Sequence, residues 1–284
     1  MSIFDLILMS FRAILSNTLR SLLTTLGIII GVSSVIILMA IGQGAVKGVI
    51  DELSALGTNL IFIEPGSSEE DGQKGAAGTA ITLTREDGEA IMDSNISGIE
   101  RLTSMIDFTA QAITPSNNIG VQVVGTEYTY SDIRLLELSE GRFIDVDDVN
   151  KKSLNIVLGN NIANQLFPDE SPVGKNVRIS IAGGRILFNF RVIGVLSEKG
   201  AGVGVDEDNA VFIPVSTLQA RISFIKNPTG ETNVNNIIIQ TSDNVDESII
   251  KDEITNILLA RHNVSKPDFI VESQKDLIGA ASDI

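Results

Sequence analysis

The sequence predicts an α+β protein with one N-terminal transmembrane helix and stalk, followed by an extracytoplasmic core made of two nested subdomains. Three observations predict it. No charged residue interrupts the stretch between Arg20 and Lys47. Behind that stretch, two β-α-β patterns bracket a long region of short β-type runs. Charge is also divided unevenly. Residues 1–20 carry Arg12 and Arg20 against Asp5, while the remainder carries the acidic residues that bring the 284-residue chain to −15.

Residues 1–20 read as an amphipathic interfacial helix. Ile3, Phe4, Ile7, Leu8, Phe11, Ile14, Leu15 and Leu19 recur at i, i+3, i+4 spacing, with Asp5, Arg12 and Ser16 opposite. Such a helix lies at a lipid surface or packs on a cytoplasmic partner. Residues 21–43 read as the transmembrane helix: at about 1.5 Å per residue, Ser21–Ile41 spans roughly 31 Å, close to the ~30 Å hydrocarbon core of a bilayer. A cleaved signal is the competing explanation, with Ala40-Ile41-Gly42 imitating a cleavage site, although signal apolar regions usually run only about 7–15 residues. Arg20 abuts the entry side and Lys47 is the only nearby base beyond the exit. This places the N-terminus in the cytoplasm and the bulk of the chain outside the cell (inner) membrane. Gly27 and Gly31 form a GxxxG pair that lets a second helix approach closely, and Ser33, Ser34 and Gly42 add further small residues. Residues 44–57 continue as a stalk helix through Val46, Val49, Ile50 and Leu53 and stop near Gly57.

Asn59-Leu-Ile-Phe-Ile-Glu64 is a strand ended by Pro65-Gly66, and the polar, Gly-rich Ser67–Gly78 reads as a flexible loop. Thr84-Arg-Glu-Asp87 resembles a capping box opening a short helix, with a strand expected over Arg101–Ile106. From about 107 to 225 the chain reads as mostly β, with runs at Gly120–Val124, Asn155–Gly159, Val177–Ile181, Phe188–Leu196 and Ala210–Pro214, and one short helix over Asn160–Phe167. Asn236–Gln240 is a strand echoing Asn59–Ile63. Val245–Arg261 is an amphipathic helix presenting Ile250, Ile254, Ile257 and Leu258, and Phe269–Glu272 is a last strand. The simplest account is an α+β subdomain built from 58–108 and 233–275, with a β-rich subdomain, 109–232, inserted. Residues 276–284 then read as a lead-in to a second span, so the chain reads as a piece of a longer permease-like protein.

Chemistry is sparse. His262 is the only histidine and cysteine is absent, so a His/Cys zinc site is unavailable; at a helix C-terminus, His262 suits the dipole. Asp145, Asp147 and Asp148, and likewise Asp206, Glu207 and Asp208, form acidic turns that lack EF-hand spacing and read as solvated surface. Gly200-Ala-Gly-Val-Gly204 has no following Lys-Ser/Thr and reads as a mobile hairpin. No catalytic residue, cofactor-binding residue or metal ligand is expected. The acidic balance disfavours nucleic acid.

The residues also resemble a known family. FRAILSNTLRSLLTTLGIIIGVSSVIILMAIGQG followed by LSALGTNLIFIEPG is similar to the start of MacB-type (MacB/FtsX-like) ABC transporter permeases. Further marks follow in family order: Gly141-Arg-Phe143, Val157-Leu-Gly159, Leu166-Phe-Pro168, Pro172-Val-Gly-Lys175, Phe190-Arg-Val-Ile-Gly-Val195 and Val211-Phe-Ile-Pro214. The resemblance implies a periplasmic core in which one subdomain is porter-like and the other is a β-rich insert. It implies an ABC ATPase partner, a homo- or heterodimer of permeases, a possible periplasmic adaptor and contact with membrane lipid. It also implies export or extraction of a macrolide, peptide or lipoprotein. The chain departs from the family in lacking three further spans, and it carries no GxxxxGK[ST] loop, which puts ATP hydrolysis on another domain. The alternatives are a signal-anchored sensor or adhesion module and an anchored carboxylate-only glycosidase.

Overall fold

A computed structural model describes residues 4, 9, 16–55, 59–67, 69–70, 73–74, 82–181, 183–200, 205–222, 230–243 and 245–282. The chain divides into two compact units, one running to Asp51 and one from Glu52 to Asp283.

The first unit is dominated by helix α1 (Thr18–Ala55), 38 residues without a break. It covers the predicted span and continues through most of the predicted stalk, whose last residues lie outside the described set. Most of the predicted interfacial helix also lies outside it, although Phe4, Met9 and Ser16 are helical. The segment Thr18–Ile50 is long and apolar enough to cross a membrane, and its most apolar window has no buried residue. A helix that is hydrophobic all round belongs in a core or in lipid. Leu22, Leu26, Ile30, Ile37 and Leu38 are all exposed, so the described residues supply no core around them.

In the second unit the order is β1 (Leu60–Pro65), β2 (Glu69–Glu70), β3 (Gln73–Lys74), α2 (Arg85–Asp93), β4 (Ile99–Ile113), β5 (Asn118–Thr126), α3 (Tyr130–Ile133), β6 (Leu138–Gly141) and α4 (Val146–Lys151). It continues with β7 (Asn155–Leu158), α5 (Asn160–Leu166), β8 (Asn176–Ile181), β9 (Ile186–Leu196), β10 (Ala210–Pro214), α6 (Val215–Arg221), β11 (Asn236–Thr241), α7 (Glu247–His262), β12 (Phe269–Ser273) and α8 (Gln274–Ser282). Ten of these strands form one sheet in the order β12-β1-β11-β4-β5-β10-β7-β9-β6, with β8 pairing with both β4 and β9.

The first four strands of that order are antiparallel to their neighbours. Strand β11 lies between β1 and β4, and β1 lies between β11 and β12, so two split β-α-β units interleave in the ferredoxin-like manner. The two runs that echo each other in sequence are thus hydrogen-bonded neighbours, with Leu60 opposite Gln240 and Phe62 opposite Ile238. Alternation sends Ile61, Ile63, Ile237 and Ile239 to one face, where they pack with Ile91 of α2 and Ile250, Ile254 and Leu258 of α7. A second cluster lies wholly within residues 106–222, around Val121, Val123, Leu158, Ile179, Phe190 and Ile213. A third joins Leu60, Met105 and Ile238 to Val124, Tyr130, Phe143 and Phe212.

Three expectations change in detail. The strand expected over Arg101–Ile106 runs from Ile99 to Ile113, because Ala110 and Ala112 continue the buried alternation through otherwise polar residues. The described residues of the expected Ser67–Gly78 loop include the two-residue hairpin β2/β3. The acidic turn at Asp145 is a capped helix. Asp145 accepts from the Asp148 backbone N–H at 2.8 Å, and the Asp145 N–H donates back to the Asp148 carboxylate at 3.2 Å.

Candidate functional site

On α1, Gly27 and Gly31 are one turn apart, and a Cβ at either would meet nothing within 4 Å. Two polar side chains near them bond to the helix's own carbonyls, as suits a lipid surrounding. The Thr24 hydroxyl donates to the Arg20 carbonyl at 2.9 Å and the Ser34 hydroxyl to the Ile30 carbonyl at 2.7 Å.

The core holds its charges in buried clusters. At the start of α2, Asp87 is buried and takes four donors: the Thr84 backbone N–H at 2.8 Å, the Thr84 hydroxyl at 2.7 Å, Arg261 Nε at 2.8 Å and His262 Nε2 at 3.2 Å. The other ring nitrogen of His262 meets Asp268 at 2.7 Å. The bond His262 donates to Asp87 is the main reason the His262 pKa rises to about 9, with Asp268 adding to it against the effect of burial. Burial alone raises Asp87, but the bonds from His262, Arg261 and Thr84 outweigh it and hold it at about 2. The histidine is therefore a cation locking the α7 terminus to α2 and to the segment before β12. The Thr84 hydroxyl donates to Asp87 and not to the ring, so the histidine does not activate it.

The two acidic triplets resolve into separate duties. Asp148 accepts from Arg142 at 2.6 Å, Ser153 at 2.7 Å and Asn155 at 2.6 Å; burial raises it, yet these bonds bring it down to about 2. Asp147 pairs with Lys151 on the surface. Asp206 caps a short turn through the Asn209 amides, and Asp208 accepts the Lys199 and Gly200 backbone N–H groups. Glu207, fully buried, receives Arg134 through Nε at 2.9 Å and a terminal nitrogen at 2.5 Å, both on Oε1. Among the described residues no group of three His, Asp or Glu side chains is disposed to hold a metal ion. Residues 201–204 of the glycine-rich segment lie outside the described set. Sequence reading saw the triplets as solvated surface. The missed signal was Asp145-x-x-Asp148, a capping box, whereas nothing local marks Glu207 as the partner of Arg134.

An all-round apolar helix long enough to cross a membrane, a ferredoxin-like layer carrying a second β-rich layer, and ionic clusters that brace the fold define the class of the protein. Comparison narrows the class. The model of the MacB-like periplasmic core domain matches residues 21–257, and the chain belongs to that family. A macrolide export ATP-binding/permease protein MacB of Marinobacter nauticus is 35% identical over 275 residues, covering 96% of this chain and 39% of the relative. The corresponding protein of an Azoarcus species is 33% identical, again over 96% and 39%. The chain thus spans about 39% of the length of these relatives. Among solved structures, the periplasmic region of MacB from Actinobacillus actinomycetemcomitans superposes with a TM-score of 0.64 at 23% identity, over 84% of this chain and 99% of that one. The extracellular domain of the noncanonic ABC-type transporter YknZ from Gram-positive bacteria gives 0.58 at 20% identity, over 75% and 100%. At those identities the likeness is one of fold. The family makes this a periplasmic core domain of an ABC-transporter permease.

Proposed function

We propose that this chain is the first span and outer core of an inner-membrane permease that a cytoplasmic ABC ATPase moves to expel or extract a substrate. The observation that carries the reading is α1. At 38 residues it is about 57 Å long, nearly twice the ~30 Å of hydrocarbon. A helix uninterrupted from the cytoplasmic side to well beyond the lipid transmits displacement along its axis without a flexible joint. Gly27 and Gly31 are its contact with a neighbouring membrane helix, in the same permease or in a second copy. The names of the relatives support an ATP-binding partner and macrolide export, and a peptide or lipoprotein is an equal candidate substrate. A periplasmic adaptor and surrounding lipid complete the expected partners.

The test is to purify the complete gene product from membranes and measure co-purifying ATPase activity. Gly27→Leu/Gly31→Leu is expected to lower that activity severalfold while leaving the far-ultraviolet circular dichroism of the core unchanged. A preparation without an ATPase, or one whose activity ignores the double substitution, would overturn the reading.

A further inference from the structure

Strands β5, β4, β8 and β9 lie side by side in the insert. Gln111 stands opposite Gly120 and Ser180, Ser180 opposite Leu187, Arg178 opposite Asn189, and Asn176 opposite Arg191. Alternation fixes the face that each side chain takes. Ala112, Val177, Ile179 and Phe190 point into the buried cluster. Gln111, Arg178, Leu187, Asn189 and Arg191 are therefore on the opposite face, where all five are exposed. Arg185 sits in the turn between β8 and β9, also exposed.

Charge sets this outer face apart. The chain holds 36 Asp and Glu against 21 Lys and Arg, yet residues 109–113, 118–122, 176–180 and 187–191 contain no carboxylate. Asp107, beyond one end, already accepts from Gln122 at 3.0 Å. Arg85, Arg101, Arg134, Arg142 and Arg261 each have a carboxylate partner. Among the described residues Arg178, Arg185 and Arg191 have none, and Glu170, in the loop whose Gly174 lies beside Arg191, is taken by Lys175. Arg178 and Arg191 are diagonal neighbours on paired strands, about 7–8 Å apart, so their fields add over one spot. Next to them is a hollow of about 260 Å³ lined by Thr109, Gln111, Gly120, Ser180 and Gly183. A Cβ at Gly120 would meet nothing within 4 Å. The four strands make a patch roughly 14 Å across and 15 Å long, far less than the ~800 Å² a globular partner covers, and of a size for a few extended residues.

We propose that this face binds an acidic, extended segment of a partner protein, its carboxylates on Arg178 and Arg191 and an apolar side chain in the hollow between Gly120 and Leu187. Guanidinium groups hold carboxylates through paired N–H donors, and complementary charge on an otherwise acidic domain selects this face over the rest of the surface. The proposal goes beyond the ATPase-driven reading and does not depend on it.

The test follows the Nε–H signals of Arg178 and Arg191 and the Leu187 methyl signals of the full chain in phosphatidylcholine nanodiscs. Titration with acetyl-Glu-Leu-Glu-Leu-Glu-amide is expected to shift all three residues saturably. The glutamine counterpart of that peptide and inorganic phosphate should each bind at least tenfold more weakly. Arg178→Gln/Arg191→Gln, at two exposed positions, should weaken the acidic peptide at least tenfold. Gly120→Val fills the hollow and should weaken it severalfold, while Lys266→Gln, which removes an exposed cation from another strand's approach, should change it less than twofold. Nanodiscs containing phosphatidylglycerol, and dilution of the chain alone, should leave the three signals in place. Equal affinity for the glutamine peptide or for phosphate, indifference to the arginine pair or to Gly120→Val, or a Lys266→Gln effect as large as that of the arginine pair would each overturn the proposal. So would signals that move with the anionic lipid, which assigns the face to a membrane, or with dilution, which assigns it to a second copy.

Discussion

Replacing His262 by glutamine should flatten the alkaline stability profile of the core. The folded pKa of His262 stands at about 9 against an ordinary 6.5, and its side chain is only 9% exposed. At about 1.4 kcal/mol per pKa unit the difference corresponds to about 3 kcal/mol, and solvent on the Arg261 side of the cluster reduces this to about 2 kcal/mol. The depression of Asp87 reports the same ion pair from the other side and is not added. Because the folded pKa is raised, the contribution is complete below about pH 6.5, where both states are protonated. It disappears as pH rises to about 9, where the folded ring also loses its proton. Urea unfolding followed by far-ultraviolet circular dichroism at steps from pH 6 to pH 10 should therefore show the parent losing about 2 kcal/mol across that range. His262→Gln should start lower by that amount and lose little more. Lys199, which burial drives below its ordinary value, contributes equally to both proteins, so the difference between the two curves isolates the histidine. Parallel curves for parent and variant would refute the reasoning.

Arg134→Met leaves the Glu207 carboxylate buried without its cation and should cost about 3–5 kcal/mol, whereas Arg134→Met/Glu207→Leu should recover most of it, as read from thermal midpoints. Asp148→Asn should destabilise by about 1–2 kcal/mol at neutral pH after allowance for solvent screening. Since Asp148 titrates at about 2, its contribution is present above the ordinary carboxylate pKa of about 3.9, and acid unfolding curves should converge as pH falls toward 2. Gly141 is left-handed at φ 78, and a Cβ there would fall on the Ile193 carbonyl; at Gly120 the space is open. Gly141→Ala should therefore cost more than about 2 kcal/mol, while Gly120→Ala stays within about 1 kcal/mol of the parent in urea midpoints.

What the sequence made legible follows the range of the forces involved. The apolar run, the strands Asn59–Glu64 and Asn236–Gln240, and the helix ending at His262 are written in local periodicity, which a short window captures. The short helices Tyr130–Ile133 and Val215–Arg221 are not, because each is too brief to show a period and is fixed by what it covers. Tyr130 is fully buried against Phe212, and Leu218 is buried in the cluster that lies within residues 106–222. The pairing of Asp87 with His262 joins residues 175 apart in the chain, and that of Arg134 with Glu207 joins residues 73 apart. No spacing rule reaches so far. His262 was placed correctly at a helix terminus, but the neighbours that decide its charge are two carboxylates from elsewhere, and the helix dipole is secondary. Gly27 and Gly31 are legible as a motif because small size is a local property, while whether a helix packs on them is not.

Strand β4 decides how the core can move. Its 15 residues span about 50 Å. Ile99–Met105 pair with β11 in the ferredoxin-like layer, and Ile106–Ile113 pair with β5, the last three also with β8. A hinge between the two layers would have to bend this strand and break ladder bonds on both sides of Met105, which itself lies in the hydrophobic cluster that joins them. Side chains stiffen the same junction. Arg85 at the start of α2 reaches Glu127 at 2.7 Å, Glu86 accepts from Gln219 at 3.2 Å, and the Thr103 and Thr126 hydroxyls meet at 3.0 Å in the buried sheet. These ties run from one layer to the other on the α2 side of the sheet as well as through its centre. Strands β1 and β4 to β12 are therefore tied into one sheet, in which β1 is connected to the far strands through backbone hydrogen bonds.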